Sequence, residues 1–543
     1  MDRIYAPLAL AALLAACTPG APATGPSPDP RPDPTPGRPA APRALEYQPI
    51  SPALPPIPEA NGALNIRVIH PTPTQGRPRV DSTFIYGSVG RGGVALLING
   101  TPVPVARNGA FIGYLPMPSD GVWRLRAMAD GQEDTEQVAY AQPSGGGSPA
   151  TPATPSQNAV FSRARLGTVT GGADTLATGS DAIYARPTPT GSYRWFFPRG
   201  ARLSVLERRG SQYRVQLDGA TEAWVDAENI GLADTTATPP DATPIQAARV
   251  IRSGQNLDVR VAARGRPFLV ETSETGATIT VYGATSAQAR SEAPADAWYR
   301  GATTTAAGAS TQYALQLASA PWGYKAWYEG DGTLVVRVRR PPAIDPANPL
   351  RGRRIVIDPG HPPAGATGPT GLYEGDANLA IALPLAEKLR AAGAEVIMTR
   401  TNREGMVSST QSGPELRARV ALAVQRDAEM LISVHNNAFG EGANPFRAHG
   451  TSVYYFHPFS AALARALDRE IVAVTRIPDI GARSSNLALA RPTWMPTALT
   501  ESLFMPIPEQ EAALRNPEFV ERLADAHLRG IEAFLRERAG GAR

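Results

Sequence analysis

Two patterns of apolar residues divide the chain into a β-rich N-terminal part and an α/β C-terminal part. Between residues 61 and 342, short apolar and polar alternations recur between turn signals, as in 64–69, 257–261 and 333–338. Alternation with a period of two predicts half-buried strands. From residue 353 onward, continuous apolar runs alternate with longer amphipathic segments, and this pattern predicts strands and helices in turn.

The C-terminal pattern predicts a mostly parallel or mixed twisted sheet with helices on both faces, because strands that alternate with helices pack in this way. The predicted strands are 355–357, 395–398, 430–434, 451–455 and 497–500, and the predicted helices are 376–392, 414–427, 459–475 and 517–537. A further short strand is predicted at 486–490. We assign residues 351–540 to this α/β domain.

The N-terminal pattern predicts three small all-β domains. Residues 61–141 contain strands joined by hairpin turns at Asn99-Gly100 and Asn108-Gly109, whose residues tolerate positive φ. This region resembles the immunoglobulin-like modules of bacterial surface proteins. A linker rich in Gly, Ser, Pro and Thr follows at 142–157.

Residues 158–234 and 245–342 are the other two predicted β domains. The first resembles a bacterial SH3-like module, and modules of that family often bind wall peptides. The alternative is a spacer whose aromatic residues form only its core, namely Trp195, Phe196, Phe197 and Trp224. Residues 245–342 resemble the AMIN-type domains that precede wall amidases, mainly through their position and their exit at Pro341-Pro342.

The N-terminus carries an export signal. Residues 4–16 are apolar but too short to span a bilayer, and they end in Leu14-Ala15-Ala16-Cys17. This ending resembles the lipobox of bacterial lipoproteins, which implies a signal peptide over 1–17 and a lipid anchor on Cys17. An ordinary secretory signal with an incidental cysteine is the alternative. Residues 18–60 are rich in proline and predict a semi-rigid tether.

Composition narrows the class of protein. The chain has 543 residues with a net charge of +4, 54 prolines, 51 glycines and one cysteine. So small a charge for this length argues against a dedicated nucleic-acid binder. We therefore expect an exported protein that is anchored to the cell envelope, in the periplasm or at the cell surface.

Two histidines and one glutamate stand at the ends of predicted strands. His361 follows the strand at 355–357, Glu374 follows thirteen residues later, and His435 ends the strand at 430–434. Two imidazoles and one carboxylate make a zinc site with one position left open, as in hydrolytic enzymes. A capped loop histidine and a solvated carboxylate at a helix start are the separate alternatives for these residues.

Several motifs in this region resemble the zinc-dependent N-acetylmuramoyl-L-alanine amidases of the amidase_3 type. They are Ile357-Asp358-Pro359-Gly360-His361, Glu374-Gly375-Asp376-Ala377-Asn378-Leu379, Met398-Thr399-Arg400, Ser433-Val434-His435-Asn436-Asn437, Met495-Pro496-Thr497-Ala498-Leu499-Thr500-Glu501 and Asn516-Pro517. The resemblance implies that His361, Glu374 and His435 bind zinc and that Glu501 is the catalytic carboxylate.

Two departures from the family pattern bear on these assignments. Pro362-Pro363 stands where the family has glycines, and Pro506-Ile507 replaces a Ser-Asn pair. Glu509 is therefore the nearest rival to Glu501. Asp358 is either a support for the metal ligand or a residue that holds the turn.

The remaining histidines match no motif position. His449 and His457 are expected at the surface or rim, and His70 and His527 are expected outside the site.

The leading hypothesis is a peptidoglycan hydrolase that cuts the amide between N-acetylmuramic acid and L-alanine. A zinc peptidase that cuts another wall amide and a non-catalytic wall-binding lipoprotein are the alternatives. In some relatives an inserted helix covers the zinc, but residues 456–496 are too few to supply one. We therefore expect residues 345–543 to cleave peptidoglycan unaided.

Overall fold

The computed structural model describes residues 43–141, 158–171, 182–236, 243–286 and 289–540. Cys17, the linker 142–157 and the part of the predicted tether before Arg43 lie outside these residues. The chain from Ala44 onward forms one compact unit. Among the described residues, no helix is both long enough and apolar enough to cross a membrane.

The first β region is a sandwich of two antiparallel sheets. One sheet has the strand order β1-β2-β5 and the other has the order β4-β3-β6-β7. Asn99 and Gly100, with φ of 47° and 79°, form the turn between β3 and β4, as their sequence predicts. The strands are β1 (Arg67–His70), β2 (Ser82–Ser88), β3 (Ala95–Ile98), β4 (Thr101–Val103), β5 (Ala110–Pro116), β6 (Val122–Ala129) and β7 (Gln132–Ala139).

The second β region is one seven-stranded sheet of order β10-β9-β13-β12-β11-β8-β14. Its core contains Trp195 and Phe197, whereas Phe196 points to a different cluster, which it shares with the C-terminal region. The strands are β8 (Ala159–Val169), β9 (Ala182–Arg186), β10 (Trp195–Pro198), β11 (Arg202–Arg209), β12 (Gln212–Gln216), β13 (Glu222–Asp226) and β14 (Ile230–Thr236).

The third β region packs a five-stranded sheet, β21-β16-β17-β25-β24, and a four-stranded sheet, β18-β19-β23-β22, around a common core. The strands are β15 (Thr243–Ile245), β16 (Arg249–Ser253), β17 (Asn256–Val261), β18 (Phe268–Ser273), β19 (Gly276–Val281), β20 (Ala284–Ser286), β21 (Arg290–Ser291), β22 (Tyr299–Ala307), β23 (Ser310–Leu317), β24 (Gly323–Tyr328) and β25 (Leu334–Arg339). The family assignments of the three β regions remain predictions.

The C-terminal region is α/β, as its apolar pattern predicts. Its six-stranded sheet has the order β27-β26-β28-β31-β29-β30, and β29 runs antiparallel to β31 while the other neighbours are parallel. The elements are β26 (Arg354–Pro359), α1 (Glu374–Ala391), β27 (Glu395–Met398), α2 (Ser412–Gln425), β28 (Met430–Asn437), β29 (Thr451–Tyr455), α3 (Ala461–Thr475), β30 (Asp479–Ser484), β31 (Thr497–Phe504), α4 (Pro508–Leu514) and α5 (Pro517–Gly540).

The two faces of this sheet are covered differently. Helices α1 and α3 pack on one face and α5 packs on both of them, so Ile355 and Ile357 lie in a helical core. Val356, between them in β26, points to the opposite face, where α2 is joined by Tyr184 and Phe196 of the second β region. Alternate residues of a strand face opposite sides, so the all-apolar runs predicted from sequence are buried on both faces.

Two local predictions in this region need correction. The predicted strand at 486–490 is a short 3₁₀ helix, Ala488–Ala490, and the neighbouring edge strand is β30, which pairs in parallel with β29. Helix α4 was not predicted. Because α3 packs against β29, β30 and β31, it lies on the sheet and does not cover the sheet edge that carries the predicted ligands.

The predicted tether, 18–60, extends too far at its C-terminal end. Leu54 is only 7% exposed and belongs to the helical core of the C-terminal region. Its neighbour Ser51 donates its backbone N–H to Glu509 of α4 over 2.9 Å. The sequence did not predict this contact with the C-terminal region, because a single apolar residue among prolines shows no periodicity.

Candidate metal centre

The three predicted ligands meet at the carboxyl ends of parallel strands. His361 comes two residues after β26, His435 lies near the carboxyl end of β28, and Glu374 is the first residue of α1. Strands β26 and β28 are neighbours and run in parallel, with Pro359 opposite Val434. The loops that leave both strands therefore emerge at one edge of the sheet, where ligand sites of such sheets gather.

Three ligand atoms of these side chains converge. Glu374 Oε1 lies 3.0 Å from His361 Nε2 and 3.2 Å from His435 Nδ1. Donor atoms of all three residues lie within 4.8 Å of one another, and among the described residues this is the one such group of three or more metal-ligating side chains. The imidazole side chains are 21% and 15% exposed, so a small molecule can reach them from solvent.

This arrangement fits a zinc ion. Two nitrogen atoms and one carboxylate oxygen form a common catalytic zinc set, with metal–ligand distances of about 2.0–2.2 Å. Two ligands of a tetrahedral ion at that distance are about 3.3 Å apart, close to the 3.0 and 3.2 Å observed here. The three side chains thus bring their ligand atoms close enough together to hold one ion.

Glu374 is held as a charged, oriented ligand. Burial by itself raises its pKa, but the hydrogen bonds from His361 and His435 outweigh burial and hold the pKa well below its ordinary value. Its other oxygen, Oε2, accepts a 3.0 Å hydrogen bond from the backbone of Ala366, and Asn378 donates to Oε1 over 3.3 Å. These contacts select one orientation of the carboxylate.

Glu501 lies beside the three ligands. It occupies β31 directly opposite His435 in the parallel register with β28. Its Oε2 is buried and has no hydrogen-bond partner among the described residues. Burial, followed by the charge of Glu374, raises the pKa of the Glu501 carboxyl well above its ordinary value. A carboxyl group with a spare oxygen at this place can exchange a proton with a reacting molecule.

The rival carboxylate, Glu509, has a different environment. It lies in α4, accepts a hydrogen bond from the Tyr47 hydroxyl, and accepts the Ser51 backbone N–H at 2.9 Å. Both oxygens therefore bind the N-terminal segment. This geometry favours Glu501 over Glu509 for proton transfer.

Asp358 holds the turn before His361, and its contact with the ligand is indirect. It accepts 2.6 Å hydrogen bonds from Thr399 and Ser433 and pairs with Arg419 at 3.0 Å. Although burial raises the pKa of Asp358, the charge of Arg419 and these hydrogen bonds hold it below its ordinary value. Asp358 thus anchors the buried guanidinium group of Arg419 next to the site.

Arg419 is the residue that sequence reasoning missed. It is 2% exposed, lies on α2, and donates to the carbonyl oxygens of Pro359, His361 and Pro362 over 2.9, 2.8 and 3.1 Å. His361 has a φ of 61°, a left-handed conformation that a non-glycine residue keeps only when its surroundings impose it. The one signal in the sequence for the role of Arg419 was Glu415, four residues earlier on the same helix. The two side chains form an ion pair at 2.9 Å.

The other histidines do not join the site. His449 and His457, expected at the surface, are 7% and 6% exposed and bind the carbonyl oxygens of Pro445 and Arg491. That expectation was wrong, because both rings are buried and bound to backbone carbonyl oxygens. His527 is fully buried on α5, and burial lowers the pKa of His457 and of His527 to about 4. His70 pairs with Glu441 at 3.0 Å.

The region that holds the site matches a known family. Residues 355–533 match the family described as N-acetylmuramoyl-L-alanine amidase. The amidase LytC of Bacillus subtilis is 29% identical over 195 residues, which are 35% of this chain and 37% of LytC. The probable cell wall amidase LytH of Staphylococcus aureus is 32% identical over 192 residues, which are 35% of this chain and 60% of LytH.

The chain thus spans less than two thirds of the length of LytC and LytH. The uncharacterized protein YqiI of Bacillus subtilis is 28% identical over 199 residues, which are 36% of this chain and 90% of YqiI. Among solved structures, the catalytic domain of the amidase CwlV from Bacillus (Paenibacillus) polymyxa is 31% identical. The matched region is 34% of this chain and 98% of the CwlV domain, with a TM-score of 0.30. The family match, together with the similarities to LytC and LytH, supports an N-acetylmuramoyl-L-alanine amidase domain in the C-terminal third of the chain.

Proposed function

We propose that this protein is a zinc-dependent N-acetylmuramoyl-L-alanine amidase that hydrolyses peptidoglycan. The proposal is carried by one observation: His361, Glu374 and His435 converge beside Glu501 within the region that matches the amidase family. The bond cut is the amide between the lactyl group of N-acetylmuramic acid and L-alanine. The names of the relatives LytC and LytH support a substrate in the cell wall.

His361, Glu374 and His435 would hold the ion. When bound, zinc supplies Lewis-acid activation of a water molecule and of the scissile carbonyl. The ligand set carries one negative charge, so a divalent ion in it stays net positive. Arg419 keeps His361 in its left-handed conformation and so keeps Nε2 pointed at Glu374.

Glu501 would move the proton. As the water oxygen bonds to the carbonyl carbon, Glu501 takes a proton from the water, and it delivers this proton to the nitrogen as the C–N bond breaks. The products are a lactyl carboxylate and a free L-alanine amine. The Oε2 atom supports this role, because no group among the described residues is hydrogen-bonded to it and competes for the proton.

We also propose an envelope location, with the lipid anchor at Cys17. The family supports a place where peptidoglycan is reached, and the sequence before Cys17 resembles a lipobox. Cys17 lies outside the residues that the structure describes, so the anchor rests on the sequence alone.

The experiment measures zinc and products together. We expect about one zinc per full-length chain, loss of activity on chelation, and recovery on adding zinc. His435→Ala should lose both metal and activity, whereas Glu518→Gln, an exposed carboxylate on α5, should lose neither. Mass spectrometry of digested sacculi should show intact stem peptides that begin with L-alanine.

Other products would contradict the proposal in distinct ways. New amines within the stem would indicate a zinc peptidase. Zinc-loaded protein that binds sacculi and releases nothing would indicate a wall-binding protein without catalysis.

A further inference from the structure

The sandwich formed by residues 61–141 contacts the loop that follows β28. Glu441 in that loop accepts a 2.8 Å hydrogen bond from Thr83 and a further hydrogen bond from Gln75, and it lies 3.0 Å from His70 Nε2. The Tyr114 hydroxyl donates to the carbonyl oxygen of Gly442 over 3.2 Å. Several side chains of the sandwich therefore hold the loop that begins three residues after the predicted metal ligand His435.

A group of three packed aromatic rings extends this contact toward Glu501. Phe439 lies between Phe84 of the sandwich, 5.6 Å away between ring centroids, and Phe504 of β31, 4.6 Å away. Phe504 comes three residues after Glu501 in the same strand. The sandwich is thus packed against the strand that carries the proposed proton-transfer group.

The sandwich also holds the loop between the two ligands His361 and Glu374. The Tyr86 hydroxyl donates to the carbonyl oxygen of Thr367 over 3.1 Å. From the other side, Glu511 of α4 accepts the backbone N–H groups of Thr370 and Leu372 at 2.9 and 3.0 Å. This loop is therefore a fixed surface beside the metal centre.

Arg67 of β1 reaches this surface. A side-chain carbon at Gly371 would lie 3.4 Å from Arg67 Nη1, so the guanidinium group rests beside the loop, three residues before Glu374. Arg67 is exposed, and its guanidinium group forms no hydrogen bond or ion pair with the residues that the structure describes. The other polar side chains that the sandwich turns toward the catalytic loops, such as Thr83, Tyr86 and Tyr114, have hydrogen-bond partners there. Arg67 differs from them because its guanidinium group has none.

We propose that Arg67 binds a carboxylate of the stem peptide and so favours substrates whose residue after L-alanine is acidic. This inference rests on the proposed amidase function. A planar guanidinium on a rigid support recognises a carboxylate through two parallel hydrogen bonds. The hydrogen bond from Tyr86 to Thr367 and those from the loop to Glu511 supply that support, because they fix the loop against both the sandwich and α4. Arg67 acts as a specificity residue, separate from the chemistry.

The test compares two synthetic muramyl peptides that differ at one group. One carries a free α-carboxylate on a D-glutamate after L-alanine, and the other carries a carboxamide there. With full-length protein, Arg67→Gln should raise KM for the acid about fivefold to tenfold, with kcat unchanged, and should alter the amide less than twofold. Arg67→Lys should restore part of the acid preference. Arg107→Gln, an exposed arginine before β5 of the same sandwich, is the matched control and should change neither substrate.

A binding measurement separates this inference from the proposed function. Both peptides are titrated calorimetrically into Glu501→Gln protein with and without Arg67→Gln, so that no turnover is needed. Preference for the acid that disappears with Arg67 supports the inference even if no cleavage is seen. Equal affinities for acid and amide in the presence of Arg67 would overturn it, while cleavage of both peptides would leave the amidase function standing.

Discussion

The β regions meet the C-terminal domain at two places that differ in chemistry. At the front, the sandwich contacts the loops around the metal centre through Glu441, Tyr86 and Phe439. At the back, the second and third β regions bury Phe196 and Trp322 against the catalytic sheet and its helices. The front contact is largely polar and lies on loops, whereas the back contact is a continuation of the apolar core.

The surfaces that meet at the back contact are closely packed. Trp322 is fully buried and packs against Phe534 of α5 with ring centroids 5.4 Å apart, and it donates its indole N–H to the carbonyl oxygen of Glu429 over 2.7 Å. A side-chain carbon at Gly323 would lie 2.4 Å from the backbone of Trp494. Interfaces of this kind contribute to folding itself.

The back contact bears on the prediction that residues 345–543 act unaided, which stays untested. A fragment of residues 345–543 would lack Leu54 and Trp322, which belong to its own core, and would expose the apolar face that Phe196 covers. Large cavities in a core cost several kcal/mol. Tests of activity therefore need the full chain, and we expect front substitutions to change catalysis and back substitutions to change stability.

The largest effect is predicted for the two glutamates near the front. Glu501→Gln should keep zinc, keep its free energy of unfolding, and lose about 10² to 10⁴ in kcat, because the amide cannot exchange the proton. Glu509→Gln should instead lose about 1–3 kcal/mol of stability, because Tyr47 and Ser51 lose a charged acceptor. Dye release from sacculi and urea unfolding measure the two quantities. An inactive but stable Glu509→Gln protein with an active Glu501→Gln protein would exchange the assigned roles.

A large effect on stability is predicted at the back. Trp322→Ala should lower the free energy of unfolding by about 3–5 kcal/mol, because it leaves a cavity between β24 and α5. Trp327→Ala in β24, the strand that begins directly after Trp322, is the matched control and should cost clearly less, since Trp327 is partly exposed. The activity per folded molecule should change little in both variants. Urea unfolding measures the stability of each variant, and activity assays at urea concentrations below the unfolding transition measure the folded protein. A specific loss of kcat in folded Trp322→Ala would contradict the division between front contacts that affect catalysis and back contacts that affect stability.

A smaller effect, on pH dependence, is predicted for the core between the two contacts. His527 accepts a hydrogen bond from Thr500 and donates one to the carbonyl oxygen of Leu523, and its pKa is about 4 in the folded state against 6.5 for a free side chain. The unfolded chain therefore binds more protons between these values. Stability should be unaffected by this group above pH 6.5 and should fall by about 3 kcal/mol as the pH drops to 4. His527→Gln should show a shallower decline over that range in urea unfolding, and an unchanged slope would show that His527 is not the group involved.

Some of this molecule was determined by the sequence itself. The periods of the apolar residues predicted the α/β region and the β-rich remainder, because periodicity reports which side of an element is buried. The positions of His361 and His435 after apolar runs predicted that they would meet, since neighbouring parallel strands end at one edge of the sheet. Glu374 and Glu501 followed from the same reasoning and from the family motifs.

Other features were decided only by the tertiary structure. Ser51 and Glu509 are 458 positions apart, Arg67 rests beside Gly371, and Arg419 holds the loop of His361 from another element. A local pattern shows that a surface is apolar or that a side chain is charged, but it does not show which distant surface or carbonyl it will meet. That choice depends on how complete elements pack, and here it decided how the sandwich, the N-terminal segment and α2 surround the metal centre.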